Sequence, residues 1–90
     1  MNMKNQQDNS SNFITSDFYV AAFLLASKYK LVGINKTDIR RFRFVFVDQP
    51  GRVQFVEGYF LGFVDVNVKA FVSAIKELKS LMYNDAISWK

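Results

Sequence analysis

Ile39-Arg40-Arg41-Phe42-Arg43-Phe44-Val45-Phe46-Val47 has the alternation of a β-strand with one apolar face. In an extended chain Phe42, Phe44 and Phe46 fall on one side, and Arg41, Arg43, Val45 and Val47 on the other. Three rings in register require a hydrophobic layer to pack on. The opposite side, cationic and aliphatic, is left to face solvent or a ligand. Residues 39–47 therefore predict a two-layer α+β domain in which a sheet carries rings on its inner face and charge on its outer face.

Upstream, Leu31-Val32-Gly33-Ile34 is β-prone and is followed by the turn-forming Asn35-Lys36-Thr37-Asp38, so residues 31–47 read as a β-hairpin. Before it, residues 18–29 read as a helix with two adjoining stripes, Phe18, Ala22, Leu25 and Tyr29 beside Tyr19, Phe23 and Ala26. Thr15 or Ser16 is its expected cap, with Asp17 in the first turn and Ile14 placed to staple onto Tyr19. A helix apolar over most of its circumference is a central core element, or an interface in part. Downstream, Asn67 caps a helix over residues 68–83, whose Val68, Phe71, Ile75, Leu78 and Met82 follow a 3-4-3-4 spacing.

Residues 49–61 admit two readings. Pro50-Gly51 followed by the alternating Arg52-Val53-Gln54-Phe55 suits a strand. Val53, Val56 and Phe60, with Phe55 and Tyr59 four apart, suit a short helix. Residues 63–66 read as extended, a candidate short third strand.

The chain has 90 residues, enough for one domain. Residues 1–13 are expected to be a disordered polar tail, 14–84 the domain and 85–90 a second tail, whose Trp89 could fold back onto the body. With neither Cys nor His, disulfides and the usual zinc, haem and iron–sulfur ligand sets are excluded, and no cofactor is expected. The longest apolar run, residues 18–26, is nine long, about half of what spans a bilayer. The polar N-terminus lacks the apolar core of a secretory signal, so the cytoplasm is the expected compartment and no membrane partner is expected.

The order of these signals resembles a family of short prokaryotic and phage proteins catalogued as a domain of unknown function. The matching pieces are Asp17-Phe18-Tyr19-Val20-Ala21-Ala22-Phe23-Leu24, Tyr29-Lys30-Leu31-Val32-Gly33-Ile34 and Arg43-Phe44-Val45-Phe46. Tyr59-Phe60, Gly62, Val66, Phe71 and Glu77-Leu78-Lys79-Ser80-Leu81 continue them. The resemblance spans residues 16–83 and implies a helix after the Phe-rich strand, hence the order α-β-β-α-α. In place of that family's acids and leucine, this chain has Arg52, Val53 and Gln54. No activity comes with the resemblance. Its phage members, with the Asn-, Lys- and Phe-rich composition, imply a phage or mobile-element source.

The eight acids stand singly, mostly at turns and helix starts, and no two lie three or four apart on a helix, so neither a carboxylate pair nor an octahedral metal site is indicated. The four glycines form no phosphate loop. The expectation is a protein without enzymatic activity. The formal charge of +4 is uneven: residues 28–43 hold Lys28, Lys30, Lys36, Arg40, Arg41 and Arg43 against Asp38 alone, six minus one, or +5. Clustered cations suit a phosphate backbone, and Tyr29 is the candidate ring for stacking on an unpaired base. An equally physical reading is that these cations are solvated and guard a sheet edge. A second class of function starts from the strand over residues 39–47 as an edge. Val45 and Val47 would then form the interface of a homodimer or of a protein-interaction module, without nucleic acid.

Overall fold

The computed structural model describes residues 11–84, which form six elements. These are β1 (Asn12–Thr15), α1 (Phe18–Ala26), β2 (Leu31–Asn35), β3 (Arg43–Val47), α2 (Arg52–Leu61) and α3 (Val68–Tyr83). The α+β class and the antiparallel β2–β3 hairpin are as the sequence implies. Ahead of α1, however, a further strand appears, and the sheet order is β1-β3-β2, antiparallel throughout. Asn12 and Phe13 thus belong to the domain rather than to a polar tail. Residues 85–90, and with them the expected position of Trp89, lie outside the described residues.

β1 corrects two expectations. Residues 63–66 are not a strand, and β3 is not an edge: it is hydrogen-bonded to β1 on one side and β2 on the other. Phe13 pairs with Phe46 and Thr15 with Phe44 on the inner face, while Asn12 and Ile14 lie opposite Val47 and Val45 on the outer face. On the other side Ile34 pairs with Phe44 and Leu31 with Phe46, and a bulge between Leu31 and Gly33 throws Val32 outward.

The strand predicted over residues 39–47 is shortened to Arg43–Val47 because Asp38 makes a turn of what precedes it. Asp38 Oδ1 accepts from the Arg40 N–H at 3.0 Å, and the Asp38 carbonyl accepts from the Arg41 N–H at 3.1 Å. Arg40 and Arg41 consequently sit in the connection, and Arg43 alone of the three is on the strand.

Five consecutive residues of α1, Val20 to Leu24, are buried, so this helix is the central core element. Its cap is Asp17, one or two residues later than expected. Asp17 Oδ1 accepts from the Tyr19 and Val20 N–H groups, both at 3.0 Å, and Thr15 Oγ1 accepts from the Asp17 N–H at 3.1 Å. Ile14 is occupied in β1 and does not serve as a staple.

The other end of α1 closes with a Schellman arrangement. The Tyr29 N–H reaches the Leu24 carbonyl and the Lys28 N–H the Leu25 carbonyl. Lys28 takes the left-handed conformation there (φ 76°), a position that favours glycine. Lys28→Gly is therefore expected to raise stability by about 0.5–1 kcal/mol, the relief of left-handed strain less the added entropy of the unfolded chain. Urea denaturation checks it.

The ambiguous segment is helical, as the resemblance implies. Gly51 (φ 85°) precedes α2 and Gly62 (φ 77°) ends it, with the Phe63 N–H bonded to the Gly58 carbonyl at 2.8 Å. A helix puts Phe55 and Tyr59 on one side, and both rings pack on Phe23, at 4.6 and 5.0 Å between centroids. The chain then folds back so closely that a Cβ on Gly58 would lie 2.9 Å from Val64 Cγ1. That reversal carries residues 63–66 across α2 instead of into the sheet. In α3, Asn67 Oδ1 accepts from the Ala70 N–H at 2.9 Å, as anticipated, and the buried face centres on Ala74 and Leu78. Val68 is exposed and outside that face.

Candidate nucleic-acid interface

The six cations of residues 28–43 do not form one surface. Lys28 and Lys30 lie before β2 and the others after it, and a five-residue strand separates the two groups by roughly 16 Å. Lys28 and Lys30 are exposed at the end of α1.

Lys36 is committed to the fold. Its Nζ donates to the Leu81 carbonyl at 2.7 Å and lies 5.9 Å from the centre of the Phe42 ring. Leu81 is among the last carbonyls of α3, which have no partner within the helix, so the ammonium both satisfies an acceptor and faces the negative end of the helix. This contact fastens the hairpin connection to α3.

Arg40, Arg41 and Arg43 remain exposed and come together. The connection is built by Asn35, whose Oδ1 accepts from the Thr37 N–H and hydroxyl, and by the Asp38 turn. Its three guanidinium side chains and Asp38 line a recess of about 370 Å³. Asp38 reaches only Arg40, at 3.6 Å, and Arg40 is 89% exposed, so water screens that pair strongly. Arg41 and Arg43 have no ion pair among the described residues. Arg40 and Arg41 also border a second recess, of about 380 Å³, which Phe18, Met82 and Tyr83 close from the two helices.

Tyr29, the expected stacking ring, is unsuited to that role. It is 8% exposed and its ring lies parallel to that of Phe55, 5.9 Å away. Burial pushes its hydroxyl pKa up, with the Asp48 carboxylate adding to the shift. The Schellman turn at Lys28 is what directs Tyr29 inward. The ring beside the cations is Tyr83 instead, 74% exposed at the end of α3. No spacing in the sequence couples Tyr83 to Arg40, because the docking of α3 on the hairpin brings them together.

Val45 and Val47 are half-buried on the outer face of the central strand, so pairing through the edges of β3 is not available to them. Among the described residues no group of three or more acids could hold a metal ion, and no helix is long and apolar enough to cross a membrane.

No curated protein and no solved structure matches the chain. A family model does, over residues 10–84, which take in all six elements and the cationic connection. By that match the chain belongs to the family described as the domain of unknown function DUF5659.

Proposed function

We propose that this chain is a non-enzymatic accessory protein that binds single-stranded nucleic acid through Arg40, Arg41 and Arg43, with Tyr83 as a stacking ring. The observation that carries this reading is the gathering of three exposed guanidinium groups on one recess, opposed by a single turn-forming carboxylate. Guanidinium forks match phosphate oxygens, and their interaction is strengthened by counterion release. An exposed tyrosine next to them offers a face to any unpaired base. The connection is a short irregular turn, a shape suited to a flexible strand rather than to a duplex groove. A phage or mobile-element source and a cytoplasmic site of action belong to the same reading, supported by the composition and by the resemblance described above.

Fluorescence anisotropy of a labelled single-stranded oligonucleotide across a salt series tests it. With three phosphate contacts the logarithm of the binding constant is expected to fall with the logarithm of salt concentration at a slope of about −2. Replacing Arg41 and Arg43 together by alanine should flatten that slope by about 1.4. Tyr83→Ala should weaken binding by about 1–3 kcal/mol with the slope unchanged. Lys28→Ala, remote from the recess, should change neither. Binding that ignores salt, or a slope indifferent to the double substitution, would remove the proposal and leave protein interaction as the better reading.

A further inference from the structure

A second surface, distinct from the cationic connection, lies along β2. That strand is at the end of the sheet and pairs only with β3. From its free side, no loop or side chain among the described residues hydrogen-bonds to the backbone of Val32, Gly33 or Ile34. Unpaired strand edges are templates for another chain. Beside this edge runs a groove of about 450 Å³ between β2 and the helices α1 and α3. Leu25, Leu31, Ile34 and Leu81 line it with apolar surface, Lys30 and Lys36 stand at its two ends, and Glu77 projects from α3.

We infer that the β2 edge and this groove dock an extended segment of a partner protein, apolar at its centre and acidic on both flanks. Backbone pairing along β2 would supply affinity, and alternate side chains entering the groove would supply selectivity. The charges choose the occupant. A second copy would bring its own β2 edge, also ended by Lys30 and Lys36, so that four ammonium groups would share one short seam. Like charges brought together at an interface are unfavourable. A foreign strand with Asp or Glu near its two ends is attracted there instead. Glu77, along the groove wall, disfavours acid at the centre. A nucleic-acid strand has no peptide groups to continue the β2 ladder.

The test pans the folded protein against a displayed library of random peptides and then titrates the enriched peptides into the labelled protein by NMR. Enriched sequences should alternate apolar residues between acidic flanks and should shift the amide signals of Val32, Gly33, Ile34 and Asn35. Lys30→Glu should lower their affinity at least tenfold, while Arg41→Ala leaves it unchanged, so this surface stands or falls separately from the nucleic-acid proposal. The inference is overturned if no peptides are enriched, if those enriched carry basic flanks or shift signals elsewhere, or if Lys30→Glu has no effect. It is equally overturned if sedimentation reveals a dimer whose β2 amides are protected from exchange, which would make a second copy the occupant.

Discussion

Phe46→Ala is expected to remove about 3–5 kcal/mol of stability and to leave much of the protein unfolded at 37 °C. Phe46 is 0% exposed on β3, the strand that holds the sheet together. On the inner face it lies opposite Phe13 on one neighbouring strand and Leu31 on the other. Truncation therefore opens a void touched by all three strands, and the two edge strands are too short to collapse into it. A domain of this size has a total stability of roughly 4–11 kcal/mol, so the loss is of the same order as the whole. Urea denaturation followed by circular dichroism measures it. Val45→Ala, on the half-buried outer face of the same strand, should cost about 1 kcal/mol. Equal losses at the two positions would contradict the described division of the sheet into an inner and an outer face.

Arg52→Ala is the second large effect, about 2–3 kcal/mol at neutral pH. Arg52 is 18% exposed and connects three parts of the fold. Its Nε and Nη2 donate to the two carboxylate oxygens of Asp48, at 3.0 and 3.3 Å, which ties the end of β3 to the first turn of α2. Its guanidinium carbon also lies 3.8 Å from the centre of the Phe13 ring in β1. A cation at a helix start is electrostatically unfavourable, and Asp48 offsets that cost.

The fork from Arg52 is the main reason that the Asp48 pKa lies below its ordinary value, with the Gln49 N–H contributing. Because the folded pKa is the lower one, this contribution to stability is complete above the ordinary carboxylate range. It is lost as pH falls through that range and on through the lowered folded pKa. The wild-type protein should thus lose more stability than Arg52→Ala between pH 6 and pH 3, and the gap between them should narrow in acid. The part due to the Phe13 contact should persist there. A gap independent of pH would mean that the ion pair contributes nothing and the ring contact everything.

Alternation alone put Phe44 and Phe46 on one face, and the Asn67 cap with its 3-4-3-4 spacing alone defined α3. Both are local patterns, settled by residues within a turn or a strand of each other. The absence of Cys and His, and the gathering of cations over residues 28–43, were equally plain in the composition. β1 was not legible, because four residues are too few for a period to show. Asn12–Thr15 becomes a strand only through pairing with Val47, Val45 and their neighbours, remote along the chain.

That pairing in turn moved β3 from the edge to the centre of the sheet, which withdrew Val45 and Val47 from edge-to-edge association. Packing likewise chose helix over strand for residues 52–61, since only a helix sets Phe55 and Tyr59 together on Phe23. At the cationic site, residue type foretold which side chains carry charge, and tertiary structure decided which of them are free. Lys36 is held by the end of α3, Tyr29 is turned inward, and Tyr83 arrives beside the arginines from a remote helix. Charge and propensity belong to a residue and its near neighbours, whereas burial and pairing depend on partners that only the folded chain brings within reach.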